Sequence, residues 1–114
     1  MADIKEQKMK FDYDEAVDVL YVSFGTGEPS FSEEIDDHIV VDFGIYSGAP
    51  TGFQVLHVRE AGIKSMQLIL QKKLPEIVNL KRASLKAIAS EREQLIRRAV
   101  ESFPKQAKTL VPAQ

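Results

Sequence analysis

The chain reads as an α+β domain, a four-stranded antiparallel β-meander followed by two or three C-terminal α-helices. Three observations predict this. Through the first half, apolar residues recur at every second position between clusters of Gly, Pro and Asp, the period of half-buried strands. From Gly62 onward they recur three or four positions apart, the period of an amphipathic helix. The 114 residues suit a single domain, since domains usually run to roughly 100–150 residues.

The first eight residues are polar and without period, which predicts a frayed end. Met9, Phe11 and Tyr13 then alternate with Lys10 and Asp12 to give a first strand. Asp14, Glu15 and Asp18 supply turn-compatible acids before a second strand, Val19 to Phe24, rich in β-branched and aromatic residues. Gly25, Gly27 and Pro29 end it, and Gly25-Thr26-Gly27 reads as a hairpin turn. A third extended stretch begins near Phe31 and strengthens at Ile39, Val41 and Phe43, with a turn or bulge at Asp36-Asp37. Gly44 and Ser47-Gly48-Ala49-Pro50 make the next turn. The fourth strand, Gly52 to Val58, carries Phe53 and Val55 on one face and Leu56 and Val58 on the other.

Ile63, Met66, Ile69, Leu70 and Leu74 share a helical stripe, although the alternation of Met66, Leu68 and Leu70 leaves a fifth strand as the other reading. Pro75 is expected to break this element and to open the next. Ser84 to Phe103 is the clearest helix, with Leu85, Ile88, Leu95, Ala99 and Phe103 along one stripe. Ser90 with Glu93 matches a capping box, so the helix has a second candidate start there. Pro104 should stop it, leaving 104–114 as a mobile tail. The organisation is therefore one domain: an acidic sheet part over 9–60, a basic helical part over 61–103, and the tail. The second and fourth strands are apolar on both faces, so each face of the sheet needs a cover. The helix after the fourth strand supplies one, and the long helix or a second copy of the chain supplies the other. A homodimer is the expectation.

Composition excludes several classes. There is no cysteine, hence no disulfide, zinc-thiolate or cysteine nucleophile. The apolar runs fall far short of the roughly 20 residues that a membrane helix needs, and Met1 to Lys10 lacks the apolar core of a signal peptide, so a cytoplasmic protein is expected. The net charge of −2 conceals a division. Residues 1–60 carry 13 acids and 4 bases, whereas 61–114 carry 4 acids and 11 bases. Such halves attract each other, or an acidic surface seeks a basic partner.

Candidate chemistry is sparse. Glu33, Glu34, Asp36, Asp37 and Asp42 form the densest carboxylate cluster, but their spacing does not follow a calcium loop, and an acidic sheet edge that discourages edge-to-edge pairing is the simpler reading. His38 and His57, the only histidines, each read as near the middle of a strand; with Asp42 they compose a candidate two-histidine, one-carboxylate metal site only if the register allows it. No Gly-x-Ser-x-Gly elbow or phosphate-binding glycine loop is present, so neither catalysis nor a cofactor is expected. On the helix, Lys81, Arg82, Lys86, Arg92, Arg97 and Arg98 make a second candidate surface, for nucleic-acid phosphates. Ser90 to Val100 is similar to the second helix of ribbon-helix-helix repressors, but the interval before it is short for that family's strand and first helix.

Across the sheet a longer pattern stands out: Tyr13-Asp14, Asp18, Leu20-Tyr21-Val22, Phe24, Glu34-Ile35-Asp36-Asp37, Ile39-Val40-Val41-Asp42 and Gly52-Phe53-Gln54-Val55-Leu56. In this order it resembles the small bacterial domain of unknown function 2283 family over about residues 9–60. That family opens with Tyr-Asp-x-x-x-Asp-x-Leu-Tyr and closes with a Gly-hydrophobic-Glu-hydrophobic strand. His38 stands where a glycine is typical, Gln54 where a glutamate is typical, and His57 where an acid is common. The resemblance implies an antiparallel sheet and a small partner-binding protein, in some settings antitoxin-like. The leading expectation is a non-enzymatic interaction module that binds a small basic protein through Glu33, Glu34, Asp36 and Asp37. The alternatives are a nucleic-acid-binding regulator using Arg92, Arg97 and Arg98, and a small metal-dependent enzyme built on His38, Asp42 and His57.

Overall fold

The computed structural model describes residues 9–79 and 86–112. Its elements are β1 (Lys10–Asp14), β2 (Val19–Ser23), β3 (Ser30–Asp36), β4 (Ile39–Gly44), β5 (Pro50–Leu56), α1 (Val58–Ala61), α2 (Ile63–Val78) and α3 (Lys86–Leu110). The α+β class, the antiparallel sheet and the C-terminal helices are as the sequence predicts. The sheet, however, has five strands in the order β1-β2-β5-β4-β3, so it is neither four-stranded nor a simple meander.

The extra strand has a local cause, and the strand order follows from a non-local pairing. The third extended stretch folds back on itself because the Asp36 carboxylate accepts the His38 backbone N–H at 2.9 Å, closing a tight turn that contains no Gly, Pro or Asn. The fold-back yields β3 and β4, with a register shift between Glu34 and Asp36. Gly25-Thr26-Gly27 is not a hairpin turn. Gly25 (φ 64°) and Gly27 (φ 78°) lie on the connection that carries the chain from β2 to the far edge of the sheet. β5 then enters between β2 and β4 and is buried along most of its length. Gly52 is required there by close approach: a Cβ at this position would run into the Val22 carbonyl oxygen of β2.

Leu20 and Val22 of β2, Phe53 and Val55 of β5, and Ile39, Val41 and Phe43 of β4 share one face and are almost wholly buried. Met66, Leu70 and Ile77 of α2 join the same cluster, as do Leu95, Ile96, Ala99, Val100, Phe103 and Ala107 of α3. Both helices therefore cover one face, so of the two covers expected for the other face the long helix is not the one. The open face carries Tyr21, half-buried Val40, Gln54 and Leu56, and Asp42. Val58 leaves the strand and opens α1.

Met66 to Leu70 is helical, as the stripe predicts, and not a fifth strand. The ends of the helices differ from expectation. Pro75 sits inside α2 and Pro104 inside α3, without ending either. A proline in a helix gives up one backbone hydrogen bond, and buried side chains beyond each proline hold the last turns: Ile77 in α2, Ala107 and Val111 in and after α3. What reads as a tail is thus helical to Leu110. Ser90 lies within α3, so no capping box starts the helix there. The expected start at Ser84, and the expected frayed residues 1–8, lie outside the described residues.

Candidate functional site

β3 is the outermost strand on one side of the sheet, and its first five residues, Ser30 to Glu34, are all exposed. Ile45 donates its N–H to the Pro29 carbonyl at 2.9 Å, which makes Ser30 and Gly44 a non-hydrogen-bonded pair. By alternation, the backbone N–H and C=O groups of Ser30, Ser32 and Glu34 point away from β4. Side chains alternate as well. Phe31 and Glu33 lie on the helix side, with Phe31 stacked on Phe43 at 5.7 Å, and Ser32 and Glu34 on the open face.

The structure places the four predicted partner-binding acids unequally. Glu33 and Glu34 lie along the β3 edge, and Asp37 is exposed in the turn that follows. Asp36 is spent inside the fold. The His38 N–H holds its carboxyl below the usual carboxylate range despite the opposing effect of burial, and Lys73 Nζ of α2 adds to this at 3.4 Å. Asp42 belongs to another group, on the open face. It accepts from Ser32 Oγ at 2.6 Å and from Gln54 Nε2 at 3.0 Å.

His38 and His57 do meet, edge to face, with ring centroids 5.6 Å apart. Neither lies mid-strand: His38 is in the β3–β4 turn and His57 follows β5. Asp42 is four residues farther along β4 than His38, about 13 Å at the usual rise of a strand. Among the described residues no group of three His, Cys, Asp or Glu side chains is arranged to hold a metal ion.

Of the predicted phosphate contacts, Arg92 donates to the Pro50 carbonyl at 2.8 Å and Arg97 pairs with Glu93 at 3.1 Å, one turn earlier. Arg98 is exposed. Lys81 and Arg82 lie outside the described residues.

Two carboxylates outside the predicted sites prove the most thoroughly engaged. Asp18 and His57 both adopt left-handed backbone, at φ 57° and 62°, and His57 donates its N–H to the Asp18 carbonyl at 2.9 Å. The Asp18 carboxylate then accepts from Tyr13 Oη (2.8 Å) and from the backbone N–H groups of Arg59 (2.8 Å) and Glu60 (3.0 Å), capping α1. Burial raises the Asp18 carboxyl, but these donors outweigh it and leave the group below its ordinary value. Conversely, burial and donation to Asp18 push the Tyr13 phenol up to about 12. Glu28 plays a similar part elsewhere. It accepts from the Ser47 hydroxyl (2.6 Å) and from the N–H groups of Ser47 (3.0 Å) and Tyr46 (3.1 Å), fixing the β4–β5 turn. Gly44 leaves room for that carboxylate.

A shallow cleft of about 360 Å³ lies where α1 and α2 meet the end of α3, lined by Val58, Arg59, Gly62, Ile63, Lys108 and Val111. Arg59 also reaches Glu15 at 3.3 Å. No helix among the described residues is long and apolar enough to cross a membrane.

Residues 10–59, the whole of the sheet and the start of α1, match the family described as "Protein of unknown function (DUF2283)". No curated protein and no solved structure matches the chain.

Proposed function

From the match of residues 10–59 to the DUF2283 family model, we propose that the chain is a protein-interaction module, acting without catalysis, that takes a small basic protein along its β3 edge in the manner of an antitoxin. One observation carries this reading. β3 is an outer strand exposed from Ser30 to Glu34, with acids on both of its faces and Asp37 just beyond it. Acidic charge on an open surface speeds the approach of a basic partner and penalises acidic competitors. The other polar clusters serve the fold instead: Asp18 caps α1, Glu28 ties the β4–β5 turn, and Arg92 holds Pro50. Self-association belongs to the same proposal, through the open face on which Tyr21 is 38% exposed. Sedimentation of the purified chain reads it directly.

The test is copurification of the tagged chain from its native cells at moderate salt. Glu34→Lys with Asp37→Lys reverses the edge charge and leaves Asp36, which the fold uses, in place. The expected result is a small basic companion at equal stoichiometry with the wild-type chain and its loss with the variant, both chains melting alike. A companion retained by the charge-reversed chain refutes the proposal.

A further inference from the structure

We infer that the basic partner binds by adding a strand to β3, antiparallel to it, with a basic residue opposite Glu34 and an apolar residue three positions later opposite Phe31. The inference rests on the interaction reading above and names the form in which the partner arrives. Its first ground is the backbone. Ser30, Ser32 and Glu34 turn their N–H and C=O groups to the outside of the sheet, a ladder that an extended segment completes with main-chain hydrogen bonds. Its second ground is the order of the side chains along that ladder. Glu34 stands at one end on the open face, whereas Phe31, 46% exposed and stacked on the buried Phe43, stands near the other end on the helix side.

Pairing is antiparallel throughout this sheet, and antiparallel ladders are slightly the more stable per residue. Run that way, the incoming chain presents first the residue facing Glu34 and, three positions on, the residue facing Phe31. Positions three apart in a strand point to opposite faces, as these two sites require. The register shift between Glu34 and Asp36 ends the regular ladder, so Ser30 to Glu34 is its length.

Charge chooses between a basic strand and a second copy of this chain. Two β3 edges brought together would gather Glu33, Glu34 and Asp37 of both copies along one seam, a like-charge arrangement that protects edges from self-pairing. A basic segment meets no such repulsion.

The probe is a capped peptide, Thr-Lys-Thr-Thr-Val-Thr, titrated against the full chain. Beside it goes the same peptide N-methylated at the lysine and at the threonine two residues on, which keeps the charge and removes the donors that would face Glu34 and Ser32. The unmodified peptide should bind about tenfold or more tightly than the methylated one, the scale expected for losing two net backbone hydrogen bonds. It should also slow amide exchange at Ser32 and Glu34. Within the chain, Ser32→Pro removes the outward N–H together with the hydroxyl that donates to Asp42 and spares the ladder to β4, whereas Ser32→Ala removes the hydroxyl alone; the proline variant should abolish peptide binding and the alanine variant retain it. Equal binding of the two peptides without exchange protection overturns strand addition, as does failure of both to bind. If the native companion is lost with Glu34→Lys and Asp37→Lys but kept by Ser32→Pro, strand addition falls and the acidic-edge reading stands. A companion kept by the charge-reversed chain removes that reading itself.

Discussion

Replacing Asp18 should cost this small domain a large share of its stability, and the cost can be worked from the clamp around it. The carboxylate accepts from Tyr13 Oη, Arg59 N–H and Glu60 N–H, and the residue itself stands at φ 57°. Asp18→Ala loses the cap on α1, about 1–2 kcal/mol, and unpairs the Tyr13 hydroxyl, about 1 kcal/mol. It also leaves a Cβ-bearing residue with no compensating bonds in left-handed backbone, about 1 kcal/mol. The expected total is about 3–4 kcal/mol, which lowers the thermal midpoint of a domain of this size by roughly 12–20 °C. Asp18→Asn keeps the Oδ1 acceptor and tolerates the backbone angle, but sets an amide N–H against that of Glu60; about 1–2 kcal/mol is expected. Urea denaturation followed by circular dichroism at neutral pH measures both. A loss below about 1 kcal/mol for Asp18→Ala would refute the reasoning, as would an Asn variant as unstable as the Ala variant. pH gives an independent reading. Because the folded Asp18 carboxyl lies below its unfolded value of 3.8, its contribution is fully present above that value and disappears as pH falls through the folded value. The Asn variant should lack this acid step.

Three more outcomes follow from the same packing. The Tyr13 phenol is raised to about 12 from 10.0, so the folded chain holds a proton there that the unfolded chain releases; stability should fall as pH rises from 10 toward 12, and Tyr13→Phe should flatten that fall in alkaline melts. Gly52→Ala forces a Cβ onto the Val22 carbonyl and should cost about 2 kcal/mol or more. Gly44→Ala meets the end of the Glu28 side chain instead and should cost less, so equal urea midpoints for the two variants would contradict the packing. Gln54→Glu puts a second carboxylate where an amide donates to Asp42 at 3.0 Å. Two such acids in contact hold a shared proton above its unfolded value, so the variant should be weakened at neutral pH and regain stability as pH falls toward about 5. Urea midpoints at the two pH values check it.

The sheet's strands were legible because their apolar alternation is strong, and α2 and α3 because their stripes are. The division of β3 from β4 was legible in part. Asp36-Asp37 marks a turn or bulge, but without a Gly or Pro the pattern does not separate a kink in one strand from the full reversal that the Asp36 carboxylate closes on the His38 N–H. Strand order was hidden for a different reason: that β5 lies between β2 and β4 is a non-local pairing, and local pattern carries no register. The prolines misled because Ile77 and Ala107 beyond them are anchored in the core, and tertiary packing overrides local preference. At the site, acidity was legible as composition, but not that Asp36 turns inward to Lys73 while Glu34 stays on the edge. Tyr13, Asp18 and Gly52 of the motif prove to be a clamp and a close contact, so these motif residues build the sheet.

The position of β5 also orders events during synthesis. The β1–β2 hairpin and the β3–β4 hairpin pair with each other nowhere, and each is complete before residue 50 is made. Without β5 the sheet has no pairing to join the two ribbons, and two-stranded ribbons are marginal in water. The same seven residues join both ribbons and deliver His57 to the Asp18 carbonyl as α1 begins. Sheet closure and the start of α1 therefore depend on the same segment, and a chain ending just before Pro50 would lack the partner of two apolar strand edges, β2 and β4, that the finished protein covers.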